Sequence, residues 1–87
     1  DDKMDYWEIL VKRIKELCEK RNLSITQLSK ISGVKQSTLD NIIQMNSKSP
    51  GVQNIHKIAN AFNMTVSEFL DIKELNDFSF DDEEDKK

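Results

Sequence analysis

Five polar side chains lie close together in one short segment, and each of them can exchange hydrogen bonds with the edges of bases. They are Lys35, Gln36, Ser37, Asp40 and Asn41. The amides of Gln36 and Asn41 can each donate to N7 and accept from N6 of adenine together, and Ser37 can serve either base type. Asp40 has two open interpretations: it accepts from a cytosine amino group, or it repels phosphates when the register is wrong. These residues are candidates for reading base pairs.

Two short amphipathic helices around a sharp corner are expected to position this segment. The inward-facing residues are Leu28 and Ile31 in ITQLSKIS, and Leu39, Ile42 and Ile43 in KQSTLDNIIQ. Gly33 lies between the two helices and tolerates a positive φ, so the chain can turn there without a Cβ clash. This combination is what a helix-turn-helix needs.

Lys35 stands just before the second helix, where Ser or Thr would satisfy an orphan N–H. Its positive charge lies at the positive end of the helix dipole, which costs ~0.3–1 kcal/mol of helix stability. Such a breach of local preference often marks a functional site, and a lysine here can reach a phosphate or a guanine edge. The other interpretation is an ordinary exposed lysine, with Ser37 or Gln36 as the effective cap.

Three further helices complete an all-α pattern of five helices. The first runs from about Tyr6 to Arg21, the fourth from about Val52 to Phe62, and a short fifth begins after Thr65. Their predicted core residues are Leu10, Ile14, Leu17, Ile55, Ile58, Ala59, Phe62, Val66, Phe69 and Leu70, and the polar face of the first carries Lys12, Arg13 and Lys15. Capping boxes are predicted at Ser24 with Gln27 and at Thr65 with Glu68, and Asn63 is expected to end the fourth helix in a left-handed cap.

Four pieces of the sequence, in this order and spacing, resemble the lambda-repressor-like family of bacterial and phage regulators, also called the xenobiotic-response-element type. The pieces are RIKELCEKRNLS, ISGVKQSTLDNI, Pro50 at a helix entry, and IHKIANAFNMTVSEFL, within roughly Leu10 to Leu70. The resemblance implies a compact five-helix DNA-binding domain that recognises a double-stranded operator. Because one helix-turn-helix reads one short half-site, it also implies a homodimer on DNA.

The resemblance also implies contacts to DNA phosphates around the second helix of the motif. Relatives often begin the first helix with a Gln that touches the backbone, but this chain has Ile25, so Thr26 or the nearby N–H groups are expected to substitute. The expected phosphate-contacting residues are Thr26, Gln44, Asn46, Ser47, Lys48, Val52 and Gln53. For the loop among them, the alternative is a polar connection without contact to DNA.

Cys18 and Ile43 mark a second departure from the family. Relatives often carry a paired Arg and Glu at these two positions, and here both have become apolar. Replacement of a buried ion pair by packing tends to be neutral or stabilising when neither charge is left alone. We therefore expect Cys18 to be a core residue, without a reactive role.

Charge is distributed unevenly along the 87 residues, which carry −3 in total. Residues 9–70 hold nine basic and four acidic side chains, whereas residues 71–87 hold eight acids and three lysines.

We expect residues 1–3 to be the remnant of an expression tag, 4–71 to form the DNA-binding domain, and 72–87 to form an acidic, partly disordered tail. The apolar residues of this tail can pack on the bundle, join two subunits or dock a protein partner.

Composition argues against several functional classes. No apolar run is long enough to cross a bilayer, and no secretory signal is recognisable, so we expect a cytoplasmic protein without membrane contact. His56 is the only histidine, and no metal-ligand cluster, phosphate loop or catalytic constellation is present, so we expect no metal, no cofactor and no enzymatic activity.

The favoured function is a transcriptional regulator that represses by occupying an operator. The alternative is a protein-interaction module on the same fold, such as an antitoxin or the partner of an anti-repressor.

Overall fold

Six α-helices make up the computed structural model, which describes residues 5–46 and 49–81. They are α1 (Tyr6–Arg21), α2 (Ile25–Ser32), α3 (Gln36–Gln44), α4 (Val52–Ala61), α5 (Val66–Leu70) and α6 (Lys73–Asn76). The described residues contain no strand, and none of their helices is long and apolar enough to cross a membrane. The first five helices lie where the sequence predicts them. The sixth lies in the segment expected to be a tail.

Side-chain caps fix the start of three helices. In each, the residue before the helix accepts from the N3 backbone N–H, and the N3 side chain accepts from the backbone N–H of that residue, which is a complete capping box. The pairs are Asp5 with Glu8 for α1, Ser24 with Gln27 for α2, and Thr65 with Glu68 for α5. The last two confirm predictions. At the other end of α4, Asn63 has φ 64°, the predicted left-handed conformation.

A single apolar core joins the helices. Its largest fully buried members are Ile14, Leu28, Leu39, Ile58, Phe62 and Phe69. The rings of Phe62 and Phe69 stack with centroids 6.3 Å apart and join α5 to the end of α4. Cys18 is buried as predicted, and Ile43 is half-buried against the same core.

The prediction that Ile31 faces the core is wrong, because its side chain is 55% exposed. The inward stripe of α2 runs instead through Ile25, Leu28, Ser29 and Ser32, at helical spacing, and Ile31 lies on the outer flank. Two serines can occupy this stripe because their hydroxyl groups have backbone partners at the corner of the motif. The prediction failed because it took only apolar residues of α2 to face the core.

Helix α1 sends three side chains to the C-terminal ends of other helices. Trp7 Nε1 donates to the carbonyl of Ile42 in α3, at 3.1 Å. Arg13 donates from Nε to Phe69 O at 2.9 Å, at the end of α5, and Arg21 donates to Phe62 O at 2.8 Å, at the end of α4. Carbonyls at helix ends have no partner within their own helix, and a cation is favourable there. Arg13, predicted to lie on the polar face of α1, is half-buried and donates a hydrogen bond to α5.

The beginning of the predicted tail packs on the bundle. Leu75 of α6 is buried, and the Phe78 and Phe80 rings lie 5.3 and 5.4 Å from the ring of Tyr6 in α1. The signal for α6 was present in the sequence, since Ile72, Leu75 and Phe78 recur at helical spacing. Of the three alternatives for the apolar residues, packing on the bundle is therefore the one observed. Residues 1–3, expected to be a tag remnant, and residues 82–87 of the expected acidic tail lie outside the described residues.

Candidate nucleic-acid interface

The side chains of α3 divide cleanly around the helix. At 100° per residue, one arc of roughly 140° carries polar groups only. We call it the polar arc, and it consists of Gln36, Ser37, Asp40, Asn41 and Gln44. Asp40 is half-buried and the other four are exposed, whereas Leu39 and Ile42 are buried on the opposite side. The structure therefore brings four of the five candidate base-reading residues onto one surface, and Lys35, also exposed, lies at its N-terminal edge.

A hydrogen bond between the two helices of the motif orients Gln36. Its Nε2 donates to Oγ1 of Thr26 at 2.9 Å. An amide has two donor hydrogens and one acceptor oxygen, so one hydrogen and the oxygen stay available. Thr26, expected to contact phosphate, thus has a second role that its position in the sequence does not reveal.

The corner between α2 and α3 is held by local hydrogen bonds. Gly33 has φ 81°, the positive value predicted for it. Ser29 Oγ donates to Val34 O at 2.6 Å, and Ser32 Oγ accepts from Val34 N at 3.1 Å. Because Val34 is itself buried, these bonds fix the direction in which α3 leaves the turn.

The N-termini of α3 and α4 differ from those of α1, α2 and α5. Lys35 before α3 and Gly51 before α4 make no side-chain hydrogen bond to the first turn. The predicted alternative cap from Gln36 or Ser37 is also absent from α3. First-turn N–H groups without a cap point outward at the positive end of the helix dipole, where they favour an anion. Val52 and Gln53, two of the expected phosphate contacts, occupy such a turn and are exposed.

The loop after α3 begins in an ordered way. Met45 adopts the left-handed conformation with φ 54°, and Asn46 N–H donates to Asn41 O at 3.0 Å. The side chains of Asn46 and Gln44 are exposed and bonded to each other at 2.8 Å. Ser47 and Lys48, the next two expected phosphate contacts, lie outside the described residues.

The lysines in the middle of α1 are not arranged as a basic patch. Lys12 and Lys15 line the same surface groove as Glu8, Glu16 and Glu19, so the two signs are interspersed there. Phosphate binding by this face is therefore not favoured.

Two residues outside the interface, Cys18 and His56, are of types that can carry other chemistry. Burial raises the pKa of the Cys18 thiol, which disfavours the reactive thiolate. His56 is exposed on α4, and the described residues contain no group of three or more His, Cys, Asp or Glu that could hold a metal ion. Neither residue adds a second candidate site.

Comparison with known proteins agrees with this geometry. The sequence pattern of the family described as the Cro/C1-type HTH DNA-binding domain matches residues 13–74, which include the whole of α2 to α5 and the first two residues of α6. The chain belongs to the Cro/C1-type helix-turn-helix DNA-binding family. This confirms the predicted lambda-repressor-like family and the all-α fold class, and it makes the protein a DNA-binding transcription regulator.

A solved structure is similar to this Cro/C1-type domain. It is the crystal structure of the prophage Lp1 protein 11, with a TM-score of 0.76 and 26% sequence identity, over 85% of this chain and 97% of that chain. No curated protein matches the chain.

Proposed function

We propose that this Cro/C1-type domain is a sequence-specific transcriptional repressor that blocks polymerase by occupying an operator. The observation that carries the proposal is the polar arc of α3, where every exposed or half-exposed side chain can form hydrogen bonds while the opposite side is committed to the core. A helix of this kind can enter a major groove and read base edges without losing its packing.

Gln36 and Asn41 are the proposed adenine readers. Bidentate recognition of adenine needs one N–H for N7 and one carbonyl oxygen for N6. Those are the groups that Gln36 retains after donating to Thr26. Ser37 contacts either base type, Asp40 accepts from cytosine or excludes a wrong register, and Lys35 reaches a guanine or a phosphate.

Phosphate contacts are proposed on both sides of the polar arc. Thr26 accepts from Gln36 and keeps its hydroxyl hydrogen, which can be donated to a phosphate oxygen. The uncapped first turn of α4 offers the N–H groups of Val52 and Gln53. From the loop between α3 and α4, the proposed contacts are Gln44, Asn46, Ser47 and Lys48.

We also propose that the protein binds DNA as a homodimer. One recognition helix reads one short half-site, and two copies on one face of B-DNA would bind half-sites about 34 Å apart. Sedimentation of the protein with an operator duplex would show two chains per duplex, whereas one chain per duplex would contradict this part of the proposal.

The experiment begins with selection of bound fragments from random duplex DNA. Affinity is then measured for the preferred duplex and for an unrelated duplex, over a series of salt concentrations. Gln36→Ala and Asn41→Ala should each weaken binding to the preferred duplex by about 1–3 kcal/mol and leave non-specific binding nearly unchanged. Lys48→Ala should weaken both alike, because a phosphate contact carries no sequence information.

Asn60→Ala is the matched control, since Asn60 carries an exposed amide in the last turn of α4, far from the uncapped N-terminus of that helix. It should change neither affinity. If Gln36→Ala and Asn41→Ala leave the sequence preference intact, the assigned reading surface is wrong. If the protein selects no sequence and shows no salt-dependent binding to duplex, the protein-interaction alternative is favoured instead.

A further inference from the structure

The recognition helix α3 has little of its own to hold its ends. Lys35 makes no side-chain cap at the start, and the last turn contains no basic residue to complement the dipole. Met45, which ends the helix, is a long side chain in a left-handed conformation that glycine usually occupies. Beside the packing of Leu39 and Ile42 in the core, the orientation of α3 therefore depends on hydrogen bonds to other helices.

Two side-chain hydrogen bonds supply such a connection, one at each end of α3. At the start, Gln36 donates to Thr26 of α2. At the end, the carbonyl of Ile42 accepts from the indole N–H of Trp7 at 3.1 Å, across 35 residues of sequence. Trp7 is half-buried in the first turn of α1, so its position is fixed by a helix outside the motif.

We propose that Trp7 is a positioning residue for DNA reading: its indole N–H fixes the rotation of α3 about its own axis. The inference rests on the proposed function, because it assumes that the polar arc reads bases. Side-chain ends lie about 5–6 Å from a helix axis, so a rotation of roughly 15° displaces them by about 1.5 Å. That displacement exceeds the range of distances over which an N–H···O bond is good.

Loss of the indole N–H of Trp7 should reduce sequence preference and leave non-specific affinity nearly unchanged. Bidentate contacts from Gln36 and Asn41 require the correct rotation of α3. Most of the proposed phosphate contacts, among them Thr26 and the start of α4, lie outside α3, so a small rotation of α3 leaves them in place and moves only Gln44. A purely structural role for Trp7 would instead lower stability and weaken both kinds of binding together.

The test replaces the indole N–H without changing the shape of the side chain. Trp7 is the only tryptophan, so supplying 3-benzothienylalanine in place of tryptophan substitutes sulfur for the N–H at this residue alone. We expect binding to the preferred duplex to weaken roughly 2- to 12-fold, the range of one net hydrogen bond. Non-specific binding and its dependence on salt should not change. Trp7→Phe should give a loss of preference at least as large.

Arg21→Gln is the matched control, because it removes another hydrogen bond from α1 to a helix end, the bond to Phe62 O at 2.8 Å. It should lower the melting temperature while the ratio of specific to non-specific affinity stays that of the wild type. The wild-type protein is measured first, and absence of any preferred sequence there would refute the proposed function itself. If a preferred duplex exists and the analogue binds it as tightly as the wild type, or loses both affinities equally, the role of Trp7 is refuted and the proposed function stands.

Discussion

Arg13 offers a sharp test of how α1 organises the domain. Its Nε donates to Phe69 O at 2.9 Å, and its Nη2 donates to Glu68 O at 3.1 Å. Its guanidinium carbon also lies 5.9 Å from the centre of the Phe69 ring. Since α5 has only five residues, most of its carbonyls have no partner within the helix. Arg13 therefore adds a second attachment of α5, beside the burial of the Phe69 ring in the core.

The expected cost of removing this contact follows from its parts. A hydrogen bond to a charged group contributes about 1.5–3 kcal/mol, and a partly exposed cation–π contact contributes ~0.5–1 kcal/mol. The hydrogen bond to Glu68 O is exposed to solvent and shares its acceptor with Asp71 N–H, so it adds little, and the parts sum to about 2–4 kcal/mol. Arg13→Met keeps an apolar stem and loses the guanidinium, so it should lower the free energy of unfolding by about 2–3 kcal/mol. The melting temperature should fall by on the order of 10 °C.

Urea and thermal unfolding followed by circular dichroism would measure this change. Lys12→Met is the matched control, because Lys12 is the exposed neighbour on α1, and its effect should stay within about 0.5 kcal/mol. Arg13→Lys should lie between the two, since it keeps the charge and loses the forked donor geometry. A loss below 0.5 kcal/mol for Arg13→Met would refute the argument that α1 stabilises α5 through this residue.

Three further predictions concern the corner, the core and the acidic end. Gly33→Ala should cost about 1–2 kcal/mol in the same melts, because φ is +81° and no atom lies within 4 Å of an added Cβ, so the backbone alone is strained; an unchanged melt would contradict this. Cys18→Arg should cost roughly 3–5 kcal/mol by placing an unpaired charge in the core, and adding Ile43→Glu should recover part of it, whereas additive losses would mean that the two positions do not touch. Removal of residues 82–87 should tighten binding to non-specific duplex at low salt, with the difference shrinking as salt rises, because their acidic groups compete with DNA phosphates; equal affinity at every salt concentration would exclude that role.

The sequence predicted those parts of the domain that local chemistry determines. Capping boxes at Ser24 and Thr65 and the positive φ of Gly33 depend on residues a few positions apart, and all three are confirmed. The buried positions of α1, such as Ile14 and Leu17, follow from helical spacing and are also confirmed.

What the sequence did not reveal depends on contacts between distant segments. Trp7 and Ile42 are 35 residues apart, and Arg13 and Phe69 are 56 apart, so no local pattern joins them. Ile31 was misassigned because the serines of α2 find hydrogen-bond partners only once the corner has formed. Helix α6 was missed for a different reason, since the acidic composition after Asp71 outweighed a weak helical spacing of apolar residues.

The candidate interface was predicted as a set of residues, and the structure adds their arrangement. Helical spacing suffices to group Gln36, Asp40 and Gln44 on one side of α3. The bond from Gln36 to Thr26 could not be predicted, because it requires the angle between two helices. The contacts of these side chains with DNA stay predictions.

Titration of ¹⁵N-labelled protein with its selected duplex tests the central claim most directly. If the polar arc enters the groove, the largest changes in chemical shift should occur at the backbone and side-chain amides of Gln36, Asn41 and Gln44, and at the first-turn N–H groups of α4. The amides around Lys12 and Lys15 on α1 should change little. Large changes on α1 with an unperturbed α3 would contradict the assignment of α3 as the helix that reads DNA.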